Sequence, residues 1–175
     1  RNLFRYAPSY NAQNINTILD WSSWTGASGG FQGAIEMCNN NGSCRKLDGG
    51  VMCPSFRVTK DEKDSTRGRA NSLRLALSGQ LGKDALISEK MHDTMKLCVS
   101  CKACKRECPT GVDMSKMKIE ISSLRANKFG LDLRSKLVAF LPYYAPIASK
   151  LAFIMNLRDK LPGLAKLSEI FLGFT

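Results

Sequence analysis

No stretch of this chain alternates apolar and polar residues with the two-residue period of a half-buried strand, so the expected class is mostly α. Arg1-Asn2-Leu3-Phe4 is not a charged segment with an apolar run behind it, and no secretory signal is expected there. Apolar residues crowd positions 137–155, yet Pro142 and Pro146 interrupt them and Lys150 sits inside, which argues against a single membrane-spanning helix. Histidine is nearly absent: His92 stands alone and reads as a surface residue on a helix. Acidic residues are scarce, 15 against 26 Lys and Arg, for a net charge of +11. No helix-turn-helix, RNA-binding or zinc-finger pattern accompanies that excess, so nucleic-acid binding is not expected.

What the chain does have is seven cysteines in 175 residues. An odd, clustered count excludes the paired framework of a small secreted protein and points to a reducing, cytoplasmic compartment. Cys98, Cys101, Cys104 and Cys108-Pro109 form the run C-x2-C-x2-C-x3-C-P. This is the spacing of bacterial-type iron–sulfur ligation, in which three thiolates hold one [4Fe–4S] cluster and the Cys-Pro cysteine serves its neighbour. A structural four-cysteine zinc site is the alternative. If Cys108 leaves the first set, another Cys-Pro must replace it, and Cys53-Pro54 is available behind Cys38 and Cys44. The expectation is an interlock: Cys98, Cys101, Cys104 and Cys53 on one [4Fe–4S] cluster, and Cys38, Cys44 and Cys108 on a second.

The second set is one thiolate short, because its motif reads C-x5-C-x8-C-P and lacks the middle cysteine of the usual triplet. Three thiolates suit a [3Fe–4S] cluster, or a [4Fe–4S] cluster with another donor on one iron. A C-x5-C pair ahead of a Cys-Pro also resembles the [3Fe–4S] half of succinate dehydrogenase iron–sulfur subunits, with the motif order reversed. Asp48 is the nearest oxygen donor in the gap, although Asp48-Gly49-Gly50 also reads as a turn. Residues 38–111 carry 14 basic and 8 acidic side chains, a surplus of six that two anionic clusters would largely offset. Lys102, Lys105 and Arg106 are the expected local compensators.

Residues 1–37 read as a linker segment with Leu3, Phe4, Tyr6, Trp21, Trp24 and Phe31 as apolar anchors and Gly26, Gly29, Gly30 and Gly33 breaking regular structure. Residues 38–130 form the cysteine-bearing domain. Its first part is loop-rich. Helices are then predicted from a Ser65 or Thr66 cap to Gly79, over 88–97, and from an Asp113 cap to a stop at Gly130. Met91, Met95, Met114 and Met117 fall at helical spacing as packing residues. Residues 131–175 read as amphipathic helices, with one at 164–172, that pack on a partner domain or lie peripherally on the inner face of a membrane.

The cysteine layout resembles the α-helical ferredoxin module of FAD-linked oxidase proteins of the D-lactate, glycolate and D-2-hydroxyglutarate dehydrogenase type. The likeness rests on Met37-Cys38-Asn39-Asn40-Asn41-Gly42-Ser43-Cys44, Gly50-Val51-Met52-Cys53-Pro54-Ser55, Ser65-Thr66-Arg67-Gly68-Arg69-Ala70-Asn71 and Glu107-Cys108-Pro109-Thr110-Gly111-Val112-Asp113, with Asn156 to Gly163 as a connector. In that family an FAD domain precedes this segment, and a domain with Cys-Cys-Gly motifs often follows. Neither pattern occurs in these residues. The resemblance implies the iron–sulfur part of a larger oxidoreductase, passing single electrons from flavin to a quinone or carrier, with substrate residues outside this sequence. Arg67, Gly68 and Arg69 are expected at a helix start, docking a flavin domain, contacting an anionic group or facing solvent. The rival functions are a separate iron–sulfur subunit of a membrane-associated dehydrogenase and a structural zinc-binding interaction module.

Overall fold

The computed structural model describes residues 10–24 and 29–172, so the anchors Leu3, Phe4 and Tyr6 and the break at Gly26 lie outside the described residues. Every regular element among them is helical. Contacts divide the chain into two units, residues 1–128 and 129–175.

In the first unit, α1 (Gly30–Glu36) buries Phe31, Ala34 and Ile35. This helix forms where the glycines predicted a break. One apolar stripe at i, i+3 and i+4 spacing recovers more than the roughly 1 kcal/mol each glycine costs. The stretch read as loop also holds a 3₁₀ turn at Ser43–Arg45 and a short helix α2 (Pro54–Thr59). Pro54 opens α2 at the position where a missing N–H costs nothing.

Helix α3 (Thr66–Leu77) is central, packing against α1 and α4 (Glu89–Lys96) through Ala70, Leu73, Ala76 and Leu77. Ser65 caps α3 by accepting the Gly68 N–H at 2.9 Å, and Ser88 caps α4 by accepting the Met91 N–H at 3.2 Å. After α5 (Ala103–Glu107), the Asp113 carboxylate accepts the Lys116 N–H at 3.0 Å at the head of α6 (Met114–Phe129). Gly79 and Gly130, each at φ 76°, turn the chain out of α3 and α6. Met91, Met95, Met114 and Met117 are all buried in the core.

The segment before α1 is tied to α6 by one buried carboxylate. Glu120 is fully buried and accepts the N–H groups of Ile18 (2.8 Å) and Leu19 (3.2 Å) and the indole N–H of Trp21 (3.0 Å). Trp21 in turn packs on Trp24 and Phe31, with the Lys116 ammonium 4.3 Å from its ring centroid.

The second unit is a succession of short helices: α7 (Leu133–Ala139), α8 (Leu141–Lys150), α9 (Ala152–Met155), α10 (Leu157–Lys160) and α11 (Pro162–Leu172). The two prolines act differently from a simple interruption. Pro142 lies in the first turn of α8, where its missing N–H has no partner to lose, and Pro146 lies inside α8, which continues through it. No residue of α7 or α8 is buried, and Val138, Phe140, Tyr143 and Ile147 are exposed. No helix among the described residues is long and apolar enough to cross a membrane.

Candidate metal centre

Cys98, Cys101 and Cys104 lie on the loop that leaves α4 and enters α5. Ser100 and Lys102, on either side of Cys101, hold left-handed backbone at φ 55° and 58°. Such conformations are rare for residues with a side chain and concentrate at functional sites. Cys53 shares the feature at φ 51°, capping α2 ahead of Pro54. The fold brings Cys53 beside Cys98, Cys101 and Cys104, and all four line one small open cleft with Thr66, Arg69 and Met114.

The other three cysteines gather around the asparagine-rich loop. Cys38 follows α1, Cys44 sits in the 3₁₀ turn and Cys108 ends α5. The Asn41 side chain comes near the Cys108 sulfur, bringing that distant residue to the 38–44 loop. Arg67 carries its guanidinium near both Cys38 and Cys44, and Glu62 holds it at 2.7 Å.

Helix starts supply N–H groups to both gatherings. At the head of α3, Thr66 N–H donates to the Cys53 sulfur at 3.0 Å, and the Arg67 N–H lies near the Cys44 sulfur. At the head of α6, the N–H groups of Met114 and Ser115 lie near the Cys104 sulfur and favour its thiolate. Val112 and Thr110 do the same for Cys108. Donors and positive helix ends of this kind stabilise thiolate over thiol.

Cys44 and Cys53 are neighbours that perturb each other's titration, so the two gatherings adjoin. The Cys53 thiol holds Cys44 down to about 6, while the neighbouring Cys44 and burial push Cys53 well above the ordinary thiol range. Burial likewise raises Cys104. At Cys108 burial pushes upward, but the neighbouring donors of Thr110, Val112 and Asn41 together outweigh it and its pKa is lowered.

Among the described residues no three cysteine sulfurs lie within 4.8 Å of one another; the sole group that close is the exposed Glu89, His92 and Asp93.

Residues 34–112 match the family model of the 4Fe-4S dicluster domain. This stretch is similar to an iron–sulfur domain. The chain is 28% identical over 178 residues to D-2-hydroxyglutarate dehydrogenase of Escherichia coli (strain K12), covering 82% of this chain and 17% of that protein. It is 27% identical over 178 residues to D-2-hydroxyglutarate dehydrogenase of Haemophilus influenzae, covering 83% of this chain and 17% of that protein. It is 27% identical over 78 residues to the glycolate oxidase iron-sulfur subunit of Escherichia coli (strain K12), covering 45% of this chain and 17% of the subunit. The chain thus spans 17% of the length of the curated relatives it matches. No solved structure matches it.

Several residues that shape the cysteine-bearing domain carry no sequence signal of their own. The Glu107 carboxylate accepts the N–H groups of Val51 (3.0 Å) and Met52 (3.0 Å), strapping the chain ahead of Cys53-Pro54 to the chain ahead of Cys108-Pro109. Arg69 is 2% exposed and donates to Thr94 O, Ser55 Oγ and Asp64. Its side chain therefore turns inward beside the cleft instead of facing a flavin domain or solvent. Gly68 has no room for a side chain, since a Cβ there would stand 1.9 Å from the Glu62 carbonyl oxygen. Asp48 lies on an exposed turn before Gly49 and Gly50, both at positive φ. Lys102, Lys105 and Arg106 are exposed, with Lys105 3.7 Å from the Asp113 carboxylate.

Proposed function

We propose that this domain relays single electrons within a larger FAD-linked 2-hydroxyacid dehydrogenase, from reduced flavin on another domain to a quinone or carrier. Bound iron–sulfur clusters would supply one-electron redox chemistry. Cys53, Cys98, Cys101 and Cys104 would hold a [4Fe–4S] cluster. Cys38, Cys44 and Cys108 would hold the second, of [3Fe–4S] or [4Fe–4S] type. The observation that carries this reading is the arrival of Cys53 in the cleft of the second cysteine run, with its sulfur already receiving the Thr66 N–H.

The protein's own part is positional and electrostatic. Helix-start N–H groups lie against the thiolate sulfurs, Arg69 places a buried cation beside one set and Arg67 a cation beside the other. The neighbouring Cys44 and Cys53 keep the two sets adjacent. Kinship to proteins named D-2-hydroxyglutarate dehydrogenase and to a glycolate oxidase subunit supports the 2-hydroxyacid assignment. The second of these names also supports an alternative, a separate iron–sulfur subunit. A reducing cytoplasmic location suits the free thiols, and the exposed apolar residues of α7 and α8 suit a partner domain or a membrane surface.

The test is an anaerobic absorption spectrum with iron and sulfide counts, then low-temperature electron spin resonance. Brown protein with about seven to eight irons supports the relay. Cys101→Ser should lose one cluster and stability together, because metal binding and folding are coupled. Colourless protein after reconstitution with iron and sulfide, or a Cys101→Ser protein with full iron content, refutes it.

A further inference from the structure

The two cysteine runs can be superimposed by spacing. Cys98, Cys101 and Cys104 follow one another at three-residue steps, and the same steps from Cys38 lead to Asn41 and then Cys44. Asn41 therefore stands where the other run has its middle cysteine. Both positions are exposed, and both are flanked by left-handed backbone, Asn40 at φ 65° and Ser100 at φ 55°. The two loops share a design and differ in the side chain at its tip.

The amide of Asn41 is already committed. Its Oδ1 accepts the Ser43 N–H at 2.8 Å and one Nδ2 hydrogen goes to Asn39 Oδ1 at 2.6 Å, with Cys108 within reach of the remaining donor. An amide has two donors, so one remains for sulfur, and its oxygen is turned to the backbone of its own loop. Asn41 thus meets the second set as a donor to sulfur.

We propose that Asn41 caps the thiolate-free corner of the centre held by Cys38, Cys44 and Cys108, donating to sulfur without ligating iron, so that this centre is the three-iron type. The inference rests on the cluster assignment above. It makes Asn41 the residue that sets cluster type here, and a positioning residue for Cys108.

The experiment compares the anaerobically reconstituted 175-residue chain with Asn41→Cys and Asn41→Ala. Wild type should hold about seven irons and show an electron spin resonance signal in the oxidised state. Asn41→Cys should gain about one iron and lose that signal, with a second signal appearing on reduction. Asn41→Ala should keep the iron count and the oxidised-state signal, because no ligand is lost. Its three-iron centre should titrate at a lower potential, since a hydrogen bond that favours the reduced state is gone. Wild type with about eight irons and no oxidised-state signal overturns the Asn41 assignment while leaving the relay intact. Loss of the three-iron signal in Asn41→Ala would make Asn41 an iron ligand and overturns it too. A colourless wild type sinks both readings.

Discussion

The two cysteine gatherings use the same backbone devices and differ in their walls. Cys53, Cys98, Cys101 and Cys104 face an open cleft in which Cys101 is exposed and Cys98 half-buried, and the buried Arg69 guanidinium forms one side. Cys38 and Cys44 are 6% and 4% exposed and belong to the hydrophobic core, with Asn40 accepting from the Cys38 thiol and Asn41 near Cys108. N–H groups from the start of α3 reach both gatherings, Thr66 bonding Cys53 and Arg67 lying near Cys44. A single helix end therefore serves the two sets at their point of contact. What separates the sets is the number of thiols, four against three, and the side chain at the loop tip. The comparison teaches that the common scaffold prepares sulfur sites, while single residues decide what each site holds.

Breaking the sets one at a time has the largest expected effect. On the proposed ligand sets, Cys53→Ser leaves about three irons and retains the oxidised-state spin signal, whereas Cys44→Ser leaves about four and loses it. Iron analysis and electron spin resonance on the two variants check this. If both variants lose the same signal, the adjoining pair belongs to one centre and the interlock is wrong.

Gly68→Ala attacks what the sets share. Helix propensity favours alanine by about 1 kcal/mol, but a Cβ 1.9 Å from the Glu62 carbonyl oxygen must push the head of α3 away. Overpacking of this kind costs about 1–3 kcal/mol, so the clash wins and both sulfurs lose their helix-start donors. The expected outcome is a lower urea midpoint and reduced iron in both centres together. Selective loss from one centre would show that α3 serves the sets unequally.

Glu107→Gln tests the strap between the two Cys-Pro turns. The carboxylate accepts two backbone N–H groups, and Gln keeps one oxygen, so half of a charge-assisted pair is lost. The side chain is half-buried, which places the cost near the lower end, about 1 kcal/mol. Urea unfolding should show a lower midpoint with unchanged slope, and the iron content should stay at the wild-type value.

Much of this arrangement was legible before the fold. Ser65, Ser88, Asp113, Gly79 and Gly130 mark helix ends because capping and left-handed turns depend on residues adjacent in sequence. The four methionines were legible as packing by their spacing. Contacts made across the chain were not. Glu120 reaches back to Ile18, Leu19 and Trp21, and Glu107 reaches back to Val51, yet an isolated Glu in a helix looks like any solvated one. The inward turn of Arg69 was invisible for the same reason, since its acceptors lie on three separate segments. Helix α1 was missed because local glycine preference yielded to tertiary burial of Phe31 and Ile35.

The smallest effect concerns the metal-free chain and isolates the point of contact itself. Cys44 titrates near 6 and Cys53 above the ordinary range because the pair keeps one shared proton. An unfolded thiol titrates at about 8.5. Between pH 6 and that value the unfolded chain binds more protons than the folded one, so stability rises with pH and is lost as pH falls toward 6. Above that value the folded pair retains its proton while the unfolded thiols have lost theirs, and stability falls again as pH rises. Urea midpoints of the iron-free chain should therefore peak between about pH 8 and 9. Cys53→Ala removes the neighbour that holds Cys44 down, and should flatten the peak. A peak that survives in Cys53→Ala would assign it to other groups and leave the contact between the two sets without a thermodynamic signature.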